Sequence, residues 1–184
     1  MVEAATRLIE RLARVLQNDA HKHGLKPAQW EALRYLAAAN RFSRSPGALT
    51  AWLGVTKGTV SQTLQALERK GLIEKRPAPG DRRGVRLDLT EAGDRLLADD
   101  PMGDLDAAVA GLPREAREAL GASLEAVLKA MLARRGGRPF GACRSCMHFR
   151  PNHDRGAPHL CNLLNEPLSV EDGERICVEQ EAAA

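Results

Sequence analysis

With 184 residues, 27 lysines and arginines and 24 aspartates and glutamates, the chain has room for one domain of ordinary size plus a small module, and its formal net charge is only +3. A core of that size needs no disulfide framework, no run of about eighteen apolar residues offers a membrane span, and the opening MVEAATRLIERLARVL is charged and helical in pattern where a secretion signal would be basic and then apolar. The expected location is therefore cytoplasmic, and scarce aromatics with abundant alanine and leucine favour helices.

The apolar spacing predicts a first helix over 3–20, with Ala5, Leu8, Leu12, Val15 and Leu16 on one stripe and Arg7, Glu10, Arg11 and Arg14 outside it. His21, Lys22 and His23 fall in or just past its last turn, where cations suit the helix dipole; they are expected to be solvated, with Gly24 stopping the helix. Pro27 opens a second helix that runs to about Ala39 and turns Trp30, Leu33, Leu36 and Ala37 inward. After the loop Asn40-Arg41-Phe42-Ser43-Arg44, a third helix begins near Ser45-Pro46 and carries Leu49, Trp52 and Leu53 to the turn Gly54-Val55.

Thr56 is a good N-cap for a fourth helix, which shows Val60, Leu64 and Leu67 on one face and ends at Gly71. Two β-like runs, 72–76 and 85–89, flank the turn-rich and basic segment 77–84. Helix, turn, helix and basic hairpin is the layout of a winged helix-turn-helix, a mainly α fold with a small β-hairpin wing. In that layout the second helix of the pair enters the DNA major groove and the hairpin follows the backbone or the adjacent minor groove. Between Thr56 and Arg86 eight basic residues stand against three acidic ones, so this stretch carries +5 and concentrates positive charge where phosphates would lie. Lys57, Ser61, Gln62 and Gln65 lie off the apolar stripe, and Thr56 and Thr59 sit near the helix N-terminus. These are the candidates for reaching DNA, since Gln bonds adenine and Ser or Thr pairs with several partners. Arg82, Arg83 and Arg86 are the hairpin candidates, and Asp81 is spaced to hold the hairpin arginines in place.

Thr90 and Glu91 open a further helix that continues through Leu96 and Leu97 until Pro101. Leu105, Ala108, Val109 and Leu112 resume the apolar pattern, and Pro113 starts a last long helix with Leu120, Leu124, Val127, Leu128, Met131 and Leu132 in a stripe. That stripe is wider than the remaining core can cover, and a two-fold dimer would use it while setting two recognition helices one DNA turn apart. Residues 134–139 read as a linker. The expected domains are therefore a DNA-binding and dimerisation domain over 1–135 and a cysteine-rich metal-binding module over 139–184.

These residues resemble the MarR family of bacterial transcription regulators. The likeness is carried by 25–30 (LKPAQW) before the second helix, by 55–61 (VTKGTVS) at the recognition helix, and by Asp81-Arg82-Arg83 followed by 87–93 (LDLTEAG) in the wing. It covers about residues 3–134 and leaves out the C-terminal quarter. The resemblance implies a homodimer built by the last helices with the first, a double-stranded DNA operator as partner, and a held arrangement of the wing arginines.

The C-terminal quarter contains all four cysteines in the pattern C-x2-C, fourteen residues, C, fifteen residues, C: Cys143, Cys146, Cys161 and Cys177. So polar and turn-rich a segment cannot order itself by burial alone, and a cross-link or metal is the expected support. A permanent disulfide is disfavoured in a reducing compartment. Zinc on four thiolates usually shows two close pairs, although His148, His153 and His159 could substitute as ligands. One C-x2-C with two isolated cysteines suits an iron–sulfur cluster, of 4Fe–4S type, because a cluster spans more distance than one ion. The spacing is also similar to that of the small iron–sulfur subunits of glycyl-radical decarboxylases. Phe140, Met147, Phe149, Leu160, Leu163 and Leu164 lie close in sequence and would form its apolar shell.

Residues 139–184 carry four arginines against seven acidic residues, so the module is not assigned to DNA contact and is expected to act as a sensor or brace against the dimer helices. The leading reading is a dimeric, sequence-specific DNA-binding repressor whose iron–sulfur site senses redox or iron state. The alternative is such a regulator with a structural zinc module that answers a small-molecule ligand or docks a partner protein. A third reading keeps the winged helix only as the scaffold of an electron-transfer protein, against which the intact basic hairpin speaks. No catalytic triad, phosphate loop or paired carboxylates stand at a working spacing, so an enzyme is not expected.

Overall fold

The computed structural model describes residues 2–19, 22–78, 81–153 and 158–182, and for 19, 22 and 81–83 the backbone alone. The described elements run α1 (Val2–Asp19), α2 (Pro27–Ala38), α3 (Pro46–Leu53), α4 (Lys57–Arg69), β1 (Ile73–Ala78), β2 (Asp81–Leu89), α5 (Glu91–Leu97), α6 (Gly103–Ala110) and α7 (Arg114–Arg135). The chain then becomes short-stranded: β3 (Gly141–Ala142), β4 (Phe149–Pro151), β5 (His159–Cys161), β6 (Glu166–Leu168), α8 (Val170–Glu174) and β7 (Ile176–Cys177). The fold is mainly helical with a small β wing, as the spacing of apolar residues led one to expect.

One core gathers α2, α3, α4 and the wing. Trp30, Leu33, Leu36, Leu49, Val60, Leu64, Leu67 and Leu87 are buried together in it, and each such side chain contributes roughly 1.5–3 kcal/mol by leaving water. Ser45 caps α3 by accepting the Ala48 amide at 3.1 Å, with Pro46 in the first turn where it loses no bond. The strands β1 and β2 pair from Ile73↔Leu89 to Pro77↔Val85, with a register shift before Ala78↔Asp81. The hairpin is longer than predicted because Pro77 sits in a two-stranded ribbon, where a missing amide donor leaves no third strand unpaired.

Helix α5 is fixed to the start of the wing. The Thr90 hydroxyl donates to Gly71 O at 2.6 Å and accepts the Gly93 amide at 3.1 Å. Gly93 comes so close to β1 that a Cβ there would stand 2.2 Å from Leu72 O. The helix stops at Leu97, earlier than Pro101 demands, because Asp100 accepts the Met102 amide in a turn at 2.8 Å and the Arg34 Nε at 2.7 Å.

His23 is exposed and lies just past the first helix, as expected, and it also has partners. Helix α1 ends at Asp19, and His23 stands beyond it in a short 3-10 turn with φ +57°. Its Nε2 lies 2.6 Å from Asp99 Oδ2, and its ring meets the edge of Trp30, with centroids 6.1 Å apart. His21 lies outside the described residues. The long α7 keeps its apolar stripe uncovered: Leu120, Leu124, Val127, Leu128 and Met131 are between 37% and 55% exposed, and Leu8, Leu12 and Val15 of α1 are at least as open as half.

The cysteine-rich segment forms a three-stranded antiparallel sheet, β4-β5-β6, and a two-stranded ladder, β3-β7. Among the described residues it packs on the α2–α3 connection. Ile176 forms a parallel bridge with Ala39, and Arg41 donates to Pro167 O and reaches Asp172 Oδ2 at 3.0 Å. The connection offers this acidic module buried backbone groups and the cation of Arg41. Among the described residues no helix is long and apolar enough to cross a membrane.

Candidate nucleic-acid interface and thiol site

Helix α4 presents one buried and one open face. Val60, Thr63, Leu64 and Leu67 are buried, while Thr56, Lys57, Thr59, Ser61, Gln62 and Gln65 are all exposed. Thr56 caps the helix, its Oγ1 accepting the Thr59 amide at 3.2 Å and lying 3.0 Å from Thr59 Oγ1. The free amides of the first turn therefore point from a polar, cationic end, an arrangement suited to phosphate. Each predicted residue of this helix stands on the open face.

The wing is less uniform. Arg86 is half-buried and held by Asp88, with its Nε 2.8 Å and its Nη2 2.7 Å from Asp88 Oδ2. Asp88 also faces Arg44 Nη1 at 3.5 Å. Arg86 thus belongs to an ion-paired base of the wing. The side chains of Asp81, Arg82 and Arg83 lie outside the described residues.

The four cysteines come together through separate local devices. Cys143 and Cys146 bracket a tight turn in which the Cys146 amide donates to Cys143 O at 2.9 Å. The β3–β7 ladder brings Cys177 opposite Gly141. The β4–β5 pair sets Cys161 opposite Phe149, whose amide donates to Cys146 O at 3.0 Å. All four then line one small hollow of about 20 Å³, with Phe42, Phe149, Leu163, Leu164 and Leu168 among its walls. Of the expected apolar shell, Phe149, Leu163 and Leu164 are in place. Phe140 instead packs on Tyr35 and Trp52, Met147 is exposed and Leu160 is buried behind the walls. Among the described residues no group of three or more His, Cys, Asp or Glu converges on one point as a single ion requires.

Cys143 and Cys177 act as a pair. Cys177 is lowered to about 6, first by the hydrogen bond from the Cys143 thiol and then by Asn40, the Glu179 backbone and Ser43, with burial opposing. Cys143 is raised well above the ordinary thiol range, first because it donates to Cys177 and then by burial. The pair readily holds one thiolate, and a cation in the hollow would favour the second. His148 stands on the same wall; its Nε2 finds no hydrogen-bond partner among the described residues and lies 3.6 Å from Glu181. His159 turns away to Phe149, with ring centroids 4.7 Å apart, and its Nδ1 accepts the Asn152 amide at 3.3 Å. His153 is not on the wall.

The sequence reading missed Asn40. It is fully buried and donates Nδ2–H to Cys143 Sγ at 3.1 Å, across a long sequence separation that no periodic pattern signals.

A capped helix with a polar open face beside a two-stranded basic wing makes the first half of the chain a winged helix-turn-helix. Residues 23–84 match the model of the MarR family. A stretch of 74 residues is 32% identical to the transcriptional repressor MprA of Escherichia coli, spanning 40% of this chain and 42% of that protein, so the chain matches less than half of that relative's length. Among solved structures, a MarR transcriptional regulator from Methanosarcina mazei is similar with a TM-score of 0.58 at 22% identity, over 71% of this chain and 98% of that one. The MepR–DNA complex of S. aureus gives 0.54 at 24% identity over the same shares. A mutant MarR of E. coli gives 0.51 at 28% identity, over 67% of this chain and 95% of that one. The matched family consists of non-enzymatic DNA-binding regulators, and the match ends well before the first cysteine.

Proposed function

We propose that the protein is a dimeric, sequence-specific DNA-binding repressor, acting in the cytoplasm, whose four cysteines hold a 4Fe–4S cluster that senses redox or iron state. The observation that carries the DNA reading is the open face of α4, where Thr56, Lys57, Thr59, Ser61, Gln62 and Gln65 stand together beside a basic hairpin. The named repressor activity of the MprA relative and the DNA in the MepR complex support it. The uncovered stripes of α1 and α7 support a homodimer joined through them, which would pair two recognition helices across one operator.

The cluster reading is supported by four thiols that line one largely apolar hollow and by the spacing of one C-x2-C with two isolated cysteines. Cys143, Cys146, Cys161 and Cys177 would hold it, and the group would supply one-electron redox chemistry and sensitivity to oxidants. His148, on the wall of the hollow and without a hydrogen bond at Nε2 among the described residues, supports the competing reading of a structural zinc with a ligand or partner protein as signal. The test is protein purified without oxygen, assayed for iron, acid-labile sulfide and zinc alongside its visible spectrum and its affinity for selected operator duplexes. Brown protein with iron and sulfide, whose operator affinity changes on loss of the cluster, is expected. Colourless protein with one zinc per chain overturns the cluster, and a lack of preference between selected and random duplexes overturns the repressor.

A further inference from the structure

The α2–α3 connection, residues 39–45, is built into both the thiol pocket and the wing. Both ends of the Asn40 side-chain amide are fixed: Oδ1 accepts the Ser43 amide at 2.9 Å, which turns Nδ2 toward Cys143 Sγ at 3.1 Å. The Asn40 backbone donates to Ile176 O at 2.9 Å, next to Cys177. Ser43 Oγ accepts the Val178 amide at 2.9 Å, and Ser43 O accepts the Tyr35 hydroxyl at 2.7 Å. One residue on, Arg44 O accepts the Leu87 amide of β2 at 2.8 Å, and the Arg44 guanidinium shares Asp88 with Arg86. Asn40 and Ser43 are fully buried, so these donors and acceptors have no water to fall back on when one of them moves.

We infer that Asn40 is a positioning residue of the thiol site, and that the connection Asn40–Ser43–Arg44 carries the state of Cys143 and Cys177 to the base of the wing within each chain. This rests on the reading that the cysteines take up a sulfur-bound group and that the winged helix binds DNA. An N–H donor to a cysteine sulfur draws electron density from it, so Asn40 also raises the reduction potential of a group bound there. A displaced Cys143 releases Nδ2, which frees the loop that anchors Leu87. The route runs through the connection and does not include α7.

The experiment is amide hydrogen exchange on the full chain in two states: as purified without oxygen, and as the Cys143→Ala variant, which removes the sulfur that Asn40 faces without adding bulk. Exchange is expected to rise about tenfold or more over 39–45 and 85–89 as well as over 139–178, with less than about a twofold change in α7. Ser43→Ala, which cuts a different link, should reproduce the rise over 85–89. Asn40→Asp keeps the acceptor for the Ser43 amide and replaces the donor to Cys143 with a carboxylate oxygen; in it, the shift in operator affinity between cysteine-intact and cysteine-substituted protein should shrink from about tenfold to below about threefold. A rise confined to 139–178, with 39–45 and 85–89 unchanged in both Cys143→Ala and Ser43→Ala, overturns the inference. If the purified protein lacks iron and sulfide, or ignores DNA, the corresponding part of the functional proposal fails while the exchange data still decide the coupling.

Discussion

Residues 25–97 bury a tryptophan, a tyrosine and a run of leucines against one another, whereas residues 140–182 bury little beyond Cys143, Leu160, Leu168 and Cys177. The first region forms its elements from caps and apolar stripes and closes over them. The second consists of strands of two or three residues held by turns, by ion pairs such as Arg144 with Glu174, and by bonds to Asn40, Arg41 and Ser43. One half is stable by its own burial; the other takes its order from a neighbouring loop. A small polar segment gains a defined shape in this way, and with it a dependence on the loop that holds it.

The strongest way to break this contrast is to attack the self-sufficient half. Trp30→Ala, at a side chain with 0% exposure, should cost about 3–5 kcal/mol in urea unfolding and carry the module down with it. A loss under about 1 kcal/mol would mean that the core is not where the stability lies. Gly93→Ala probes the same half through a backbone clash with Leu72 and should cost about 1–3 kcal/mol.

The contrast is sharpened by Arg41→Ala, which deprives Asp172 of its cation and Pro167 O of a donor. Proteolysis within 140–182 should increase several-fold while the unfolding midpoint of the helical half shifts by less than about 1 kcal/mol equivalent. The smallest effect on folding belongs to the open face of α4. Lys57→Ala should leave stability within about 0.5 kcal/mol and reduce the salt dependence of DNA affinity by about one unit of slope. An unchanged slope would remove Lys57 from the phosphate contacts.

The helical half was legible because its signals are local. Thr56, Val60, Leu64, Leu67 and Gly71 announce a capped helix within a single window, and Ser45-Pro46 does the same for α3. The module was legible only as a cysteine count, since its order comes from contacts across more than a hundred residues, such as Asn40 with Cys143. Arg86 shows the same limit on a smaller scale: its charge was evident, but its pairing with Asp88 depends on the pleat of the folded hairpin, which holds two neighbours of one face together. Phe140 was assigned to the cysteines by proximity in sequence, although the linker that follows α7 turns it back onto Tyr35 and Trp52.

That aromatic contact gives the molecule two unlike optical reporters. Trp30 is sealed in the core at 0% exposure, while Trp52, 43% exposed, stands 5.2 Å from the ring of Phe140 at the entrance to the module. Emission from Trp30 therefore belongs to the interior of the winged helix, whereas Trp52 emission depends on whether Phe140 covers its ring. Iodide, which quenches only indoles it can reach, should report departure of the module as a gain in Trp52 quenching with the blue Trp30 component unmoved, without a label anywhere in the chain.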